Sequence, residues 1–575
     1  MAEGIRAATQ ERRRKSLILC FDGTGNKFQG SQADSNIIKI YGLLDRNDPT
    51  QYHYYQPGIG TYVETSSLSR KSTYGRVKSW YSKAKDQAIG TSFGEHVMAG
   101  YRFLMRFYND GDAIYFFGFS RGAYTARFLA QMLDYVGLLS AGNEEMMRFA
   151  WKTFSKWQMR TEDTAAERED KQKTFDFMQN FRQTFSRPVV RIEFLGLFDC
   201  VNSVPQFESA WMTRTRFPYT AKTSARVIRH AVSIDERRAK FRQDLLSERR
   251  QTHPSHHHLE QWYRQIPQEK EKLTKRKSVR KTLSQPHFRA KRRRRLAIDL
   301  GPASSSLSVN SGDVVRHNPR DDDSDGEEYD ERQDILELWF AGQHGDIGGG
   351  WTLDENEERP ISDIALSWMV REARKAGMPF DEEKVQTSNL FTEDPEPNPD
   401  MQPKDTPQLK VEGQAVHESD VSRSKVQSAT WHEEMHRLAA KGRVHDSLTF
   451  GGGLSRLAVC AWRLMEFMPF RRMDLQQDGS WKAISWPLPR GETRDMSHDC
   501  HIHSSVMKRM EADASYRPGN LIVGGGGRGC RKAPDSYGMG VWRPVLNGGG
   551  EAYIKVHPSN ADSNVDECVD GRNIK

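Results

Sequence analysis

The chain has 575 residues and a formal net charge of +8, and 36% of its residues are hydrophobic. This length exceeds one small domain, and the low hydrophobic fraction indicates that part of the chain does not join a core. The basic excess is local, because residues 268–295 contain 13 basic and 2 acidic residues. The net charge therefore says little about what the folded part binds, and a uniformly basic nucleic-acid-binding surface is not indicated.

Cysteine usage and the lengths of the apolar runs indicate the cellular compartment. The six cysteines include no Cys-x-x-Cys pair, which favours a reducing compartment over a disulfide scaffold. The apolar run behind the basic residues Arg12–Lys15 is too short for a signal peptide. No apolar run approaches the roughly 20 residues that cross a bilayer. We therefore expect a cytoplasmic protein without a signal peptide or transmembrane segment.

Apolar strands alternate with amphipathic helices through much of the chain. In chain order, the patterns predict a strand at Leu17–Phe21, helices at Asn36–Leu44 and Gly94–Tyr108, a strand at Ala113–Phe117, a helix that ends at Gly137, and strands within Val189–Asp199 and Ile335–Asp346. This alternation predicts an α/β fold with a mostly parallel sheet and helices on both faces.

Several segments lack this periodicity. Residues 1–16 are predicted to be a flexible tail, and residues 247–331 a disordered charged insertion that holds a basic run and then an acidic run. Residues 392–430 read as a polar linker, 431–523 as a helical and aromatic C-terminal region, and 524–575 as a Gly-rich tail. The pattern thus predicts a core interrupted by the insertion and followed by C-terminal additions.

A serine between two glycines marks the junction of a predicted strand and helix. In "GFSRG", Ser120 lies between Gly118 and Gly122. A sharp strand-to-helix turn exposes a serine hydroxyl as a nucleophile, and larger side chains two positions away would clash. The helix start supplies free N–H groups for a developing oxyanion, and the N–H of Arg121 is one candidate donor. The alternative is a tight turn in which Ser120 only caps the helix.

An acid and a base follow the serine in chain order. Asp199 ends one predicted strand and His344 follows another. The carboxyl ends of parallel strands meet at one edge of a sheet, so the three side chains are expected to converge as a Ser-His-Asp triad. The order Ser120, Asp199, His344 is that of the α/β-hydrolases. In the alternatives, Asp199 caps a loop and His344 is a hydrogen-bonded loop histidine.

The loop after the first strand, "FDGTGN", is the second glycine-rich signal. Gly23 or Thr24 could supply another oxyanion N–H, although a plain turn is the alternative. Asp22 and Asp346 do not fit a simple triad. If they converge, they could orient a loop or bind a cation.

Several sequence blocks together resemble the DUF2235 family, whose bacterial members include phospholipase effectors of type VI secretion. They are "LILCFDGTGNKF", "GFSRGAYTAR", "FLGLFDCVNSV", "HAVSIDERRAKF", "WFAGQHGDIGGGW" and "ISDIALSWMVREARKAG". The later pieces "HDSL" and "IHSSVMKRM" resemble fungal members. The resemblance implies an α/β-hydrolase fold over residues 17–246 and 332–391, with Ser120 as nucleophile, Asp199 as acid and His344 as base. His503 is a rival base, because it also lies in a family block.

The sequence leaves two functions open. One is a serine esterase or lipase-type hydrolase that cleaves acyl esters, with phospholipids as candidate substrates and no cofactor. The other is a non-catalytic binding protein whose basic insertion contacts polyanions. Lys291–Arg295 resembles a nuclear-import signal, which keeps a nuclear location open, but few aromatic residues accompany it for base stacking, which argues against nucleic acid.

Metal and membrane contacts are secondary alternatives. Neither His256–His258 nor the cluster at residues 498–503 has a known zinc spacing, so no metal is expected. A membrane-facing lid would need an exposed apolar patch, for which Trp462–Phe470 is a candidate, but a core helix is the preferred interpretation of this segment. The oligomeric state is left open.

Overall fold

The computed structural model places most of the predicted core. It describes residues 13–26, 28–58, 91–158, 165–187, 191–201, 223, 225–246, 333–355, 357–388, 431, 433–467, 472–475, 481–484, 491–497, 500–521, 532–533, 535, 538–545 and 551–556. The chain divides into two units, residues 248–330 and the remainder. The predicted insertion at 247–331 and the linker at 392–430 lie outside the described residues, so their properties stay predictions.

Strands occur along the whole described chain. They are β1 Ser16–Phe21, β2 Gln51–Gln56, β3 Ala113–Phe119, β4 Leu138–Leu139, β5 Ser186–Arg187, β6 Phe194–Phe198, β7 Val227–Ser233, β8 Asp334–Phe340, β9 Arg472–Leu475, β10 Trp481–Ile484, β11 His501–His503, β12 Val541–Pro544 and β13 Ala552–Val556. Within the described ranges, nine of them form one sheet in the order β12-β13-β11-β8-β7-β6-β3-β1-β2. The pairs from β2 to β11 are parallel, and β13 and β12 are antiparallel to their neighbours.

Helices cover both faces of this sheet. They are α1 Asn36–Gly42, α2 Thr91–Phe107, α3 Arg121–Val136, α4 Met147–Gln158, α5 Ala165–Phe185, α6 His344–Gly348, α7 Ser362–Lys375, α8 Glu382–Thr387, α9 Arg456–Met465 and α10 Ser504–Ala512. Ile18 and Cys20 of β1 pack in one core with residues of α1 and α7. Phe21 points the other way, towards Gly100 of α2 and Leu129 of α3. The predicted α/β architecture, a mostly parallel sheet between helices, is therefore confirmed.

The sequence patterns predicted four strands of the central sheet, β1, β3, β6 and β8, and missed β2, β7, β11, β12 and β13. In β7 the polar residues Arg229 and His230 interrupt the apolar run, yet both are buried. Arg229 pairs with Glu372, and His230 Nδ1 lies 2.8 Å from a Glu337 carboxylate oxygen. In β2 the Tyr and His residues likewise leave no clear apolar pattern from which the strand could be predicted. Buried polar groups are tolerated here because each has a partner, which local pattern cannot reveal.

Two predictions for the C-terminal part need correction. The stretch read as a Gly-rich tail supplies β12 and β13, which extend the sheet beyond β11. These strands are short and their residues are mostly exposed or half-buried, so their apolar pattern is weak. The preferred interpretation of Trp462–Phe470 as a core helix is also wrong for its described part, because Leu464 and Phe467 are exposed.

Candidate active site

Ser120 stands at the turn between β3 and α3. Its backbone has φ 58° and ψ −125°, a strained conformation for a residue with a side chain. Its N–H donates to the carbonyl of Phe198 at 3.0 Å, which ties the turn to the end of β6. A Cβ on Gly118 would lie 2.5 Å from Ala123 Cα, and one on Gly122 would lie 2.2 Å from the Phe21 carbonyl oxygen. Both glycines are therefore required by close backbone contact.

The three predicted side chains meet at the carboxyl edge of the sheet. His344, the first residue of α6, places Nε2 2.8 Å from Ser120 Oγ. Its Nδ1 lies 2.5 Å from Asp199 Oδ2, and Asp199 directly follows β6. All three residues are buried. The arrangement is a continuous hydrogen-bonded chain from hydroxyl to imidazole to carboxylate, as proton transfer requires.

A buried arginine fixes the carboxylate of Asp199. The Arg494 guanidinium donates to both Asp199 oxygens, from Nη1 at 2.5 Å and from Nη2 at 2.9 Å. The Ser233 N–H donates to Asp199 Oδ1 at 2.9 Å. Burial alone would raise the pKa of Asp199, but Arg494 and His344 hold that pKa well below its usual range. Asp199 is therefore a carboxylate at neutral pH.

Aromatic rings enclose the imidazole. His344 lies between Phe119 and Phe241, with ring centroids at 4.8 Å and 4.7 Å. The backbone N–H of His344 donates a hydrogen bond to Glu236 Oε2 at 3.3 Å. Burial lowers the pKa of His344, and the hydrogen bond to Asp199 partly offsets this effect. The imidazole is therefore neutral near pH 7 and able to accept a proton.

Asp22 organises the loop that faces this turn. Its carboxylate accepts hydrogen bonds from the Gly23 N–H at 2.6 Å, Asn26 Nδ2 at 3.1 Å, Ser35 Oγ at 2.7 Å and Tyr55 Oη at 2.8 Å. The predicted donor Gly23 is thus committed to Asp22. The neighbouring Thr24 accepts a hydrogen bond from the Arg121 side chain, so this loop lies beside the start of α3.

Asp346 holds a different loop. Its carboxylate accepts from the N–H of Gln343 at 2.9 Å and from the N–H of His445 at 3.0 Å, and its other oxygen lies 2.6 Å from His445 Nδ1. The His445 ring stacks on Trp351 at 4.2 Å. Asp22 and Asp346 thus accept hydrogen bonds from two different loops. The predicted role of the pair, to orient a loop or bind a cation if they converge, stays a prediction. In the described part of the chain, no three His, Cys, Asp or Glu side chains form a metal-binding group.

Comparison with known proteins decides the family. The family model "T6SS, Phospholipase effector Tle1-like, catalytic domain" matches residues 15–372. The chain belongs to this family. The predicted DUF2235 membership is therefore confirmed, and the family is described as a phospholipase effector catalytic domain.

Relatives of this Tle1-like chain carry little further information on activity. It is 29% identical over 568 residues to the uncharacterized protein YEL023C of Saccharomyces cerevisiae, with 88% of this chain and 80% of the yeast protein covered.

A crystal structure of an uncharacterized Pseudomonas aeruginosa protein matches 64% of this chain and 46% of its own, at 17% identity and a TM-score of 0.29. The Tle1 effector bound to the VgrG spike matches 41% of this chain and 48% of its own, at 16% identity and a TM-score of 0.18. The chain thus spans about half the length of these solved proteins.

The rival histidine of the Tle1-like chain lies elsewhere. His503 ends β11, accepts a hydrogen bond from the Ser505 N–H at 3.1 Å and stacks on Phe340 at 4.2 Å. Burial lowers its pKa well below the usual value. His503 therefore caps α10, whereas His344 is the histidine in contact with Ser120.

Sequence reasoning missed several residues around the site. Glu236, Arg238 and Phe241 lie in the quoted block "HAVSIDERRAKF", which signalled a family resemblance without a role. His445 lies in "HDSL" in the same way. Arg494 lies outside the matched residues 15–372 and in no quoted block, so no local signal pointed to it.

Proposed function

We propose that this Tle1-like chain is a serine hydrolase that cleaves acyl esters, with phospholipids as its substrate class. The observation that carries the proposal is the hydrogen-bonded chain Ser120–His344–Asp199 at the strained turn after β3. Family membership supports the lipid substrate, because the matching family is described as a phospholipase effector catalytic domain.

The proposed reaction runs through an acyl-enzyme. His344 Nε2 takes the Ser120 proton while Oγ attacks the ester carbonyl, and Asp199 stabilises the imidazolium that forms. The tetrahedral intermediate collapses as His344 returns the proton to the leaving alcohol. A water molecule then loses its proton to His344 and attacks the acyl carbonyl, which releases the acid and restores Ser120.

The proposed oxyanion hole combines two backbone donors. The N–H of Arg121 starts α3 directly after Ser120, where the helix end favours negative charge. The Thr24 N–H is the preferred second donor over Gly23, because the Gly23 N–H already donates to Asp22. The Arg121 side chain donates a hydrogen bond to Thr24 Oγ1, which supports the proposal because it links this loop to the start of α3.

We further propose a peripheral membrane contact through the outer face of α9. Leu457, Leu464 and Phe467 are 84%, 69% and 50% exposed, so the apolar stripe of this helix faces outward. The exposed Arg456 and Arg463 flank the stripe. Basic residues around exposed apolar side chains fit an anionic phospholipid surface.

This helix adjoins the catalytic histidine. Trp462 of α9 contacts Phe241 at 5.4 Å between centroids, and Phe241 contacts His344. A bilayer bound at α9 would therefore lie close to the proposed nucleophile. Among the described residues, no helix is both long and apolar enough to cross a bilayer.

Labelling with a fluorophosphonate probe tests the hydrolase, with wild type compared with Ser120→Ala. We expect stoichiometric labelling of the wild type and none of the variant. Equal labelling of both would exclude Ser120 as the nucleophile. An unlabelled wild type that also fails to release fatty acid from phospholipid vesicles would favour the binding function.

Flotation with phosphatidylglycerol vesicles tests the membrane contact. Leu457→Ser with Leu464→Ser should weaken vesicle binding at least about tenfold, since burying each leucine contributes about 1.5–3 kcal/mol. The control is Phe177→Ser, which removes another exposed apolar side chain, 48% exposed, from α5. Equal binding by both variants would refute the α9 surface.

The compartment stays a prediction from cysteine chemistry. The described Cys20, Cys200, Cys460 and Cys500 are not joined in disulfides, which agrees with a reducing cytoplasm. Burial raises the pKa of the Cys20 and Cys200 thiols, which keeps them protonated and unreactive.

A further inference from the structure

Arg494 joins the C-terminal segment to the acid of the triad. It lies 295 positions from Asp199 in the chain, beyond residues 15–372 that match the family model. Its side chain is fully buried, as is that of Asp199. A buried arginine in bidentate contact with a carboxylate is both a strong restraint and a full counter-charge.

The guanidinium also binds the surrounding backbone. Nη1 donates to the Ser233 carbonyl at 3.1 Å, and Nε and Nη2 donate to the Phe241 carbonyl at 3.0 Å and 2.6 Å. Arg494 therefore connects the end of β6, the end of β7 and the segment whose Phe241 ring contacts His344. A lysine could carry the charge but not this planar set of bonds.

Asp199 needs such a restraint. Its backbone has φ 40°, which a non-glycine residue adopts only when surrounding contacts impose it. The carboxylate must nevertheless present Oδ2 to His344 Nδ1 while Oδ1 turns to Arg494 Nη1 and the Ser233 N–H. The fork of Arg494 selects this orientation.

We propose that Arg494 is a positioning residue that orients Asp199 towards His344 and neutralises its charge, so that the C-terminal segment completes the active site. This inference rests on the proposed hydrolase function. It implies that the region matched by the family model does not contain the whole catalytic apparatus of this chain.

The charge balance around His344 makes the role measurable. The charged groups that face the imidazole are Asp199, Glu236 and Arg238, and Arg494 faces it through Asp199. Removing Arg494 leaves the carboxylate without its cation, which favours the protonated imidazole. The pKa of His344 should then rise, and that of Asp199 with it, so the base is lost at higher pH than in the wild type.

The experiment measures the rate of fluorophosphonate labelling against pH for wild type, Arg494→Ala and Arg494→Lys, with rates normalised to folded protein. Arg494→Ala should label about 100-fold more slowly, since small misplacements of catalytic groups cost this much. The acid limb of its pH profile, where the labelling rate falls as His344 becomes protonated, should move to higher pH by about one unit. Arg494→Lys should be slower than wild type, with its acid limb near the wild-type position.

The matched control is Arg229→Ala. Arg229 is a buried arginine paired with Glu372 and Asp334, and Asp334 begins β8 at the sheet edge opposite the triad. This variant loses a comparable ion pair but should keep the wild-type rate and acid limb per folded molecule.

Two results would overturn the proposal. One is an Arg494→Ala rate loss without any shift of the acid limb, as a purely structural residue would produce. The other is an Arg494→Lys enzyme identical to wild type at every pH, which also decides the question if the alanine variant does not fold. A wild type that is never labelled would instead defeat the hydrolase function itself.

Discussion

Gly122→Ala tests the packing that shapes the nucleophile turn. A methyl group at this position would lie 2.2 Å from the Phe21 carbonyl oxygen and 2.5 Å from that of Asp22. Carbon–oxygen contacts normally stay beyond about 3.3 Å. The start of α3 and the end of β1 must therefore separate by about 1 Å. Because Gly122 is helical, alanine is acceptable to its own backbone and the effect is purely steric.

The displacement acts on stability and on rate. Overpacking of a rigid site costs about 1–3 kcal/mol, and here both partners are backbone. The separated elements carry Ser120 and the loop with Thr24, so a shift of about 1 Å should slow labelling about 100-fold. Thermal unfolding and fluorophosphonate labelling measure the two effects on the same protein.

Gly42→Ala is the matched control. Like Gly122, Gly42 is helical, but it is exposed, and its added methyl group would meet nothing within 4 Å. The same chemical change there should leave labelling unaltered and stabilise α1 by less than about 1 kcal/mol. If Gly122→Ala melts and labels like the wild type, the close approach of β1 to the turn is refuted.

Two further predictions concern the half-buried carboxylate of Asp235 and the buried carboxylate of Asp22. Burial raises the pKa of Asp235 to about 6, while one of its oxygens accepts from the Gly342 N–H and Tyr516 Oη at 2.7 Å each. The stability that protonated Asp235 contributes is fully present below about pH 4 and is lost as the pH rises through 6. Asp235→Asn should therefore raise the free energy of unfolding by about 3 kcal/mol at pH 8 and make the melting temperature less dependent on pH. Melting temperatures of variant and wild type that change in parallel with pH would contradict this. Tyr55→Phe removes one hydrogen bond to Asp22 and should cost about 0.5–1.5 kcal/mol, and an unchanged melting temperature would argue against that bond.

Sequence alone determined the parts of the fold with strong local periodicity. The runs at Leu17–Phe21 and Ala113–Phe117 became β1 and β3, because short apolar runs bounded by turn residues fit a buried strand. Ser120, Asp199 and His344 could be placed together because each follows a predicted strand, and the carboxyl ends of parallel strands share one edge.

Only the tertiary structure decided which distant groups complete that edge. The pair Arg494–Asp199 joins positions too far apart in the chain to leave any local pattern. The sequence left a core helix and an exposed patch open for Trp462–Phe470, because whether Leu464 faces a core or the surface depends on what packs beside the helix. The short strands β11 to β13 likewise acquire their place by pairing with β8 and with one another. Local sequence encodes the period of an element, whereas its partner is set by the packing of the whole chain.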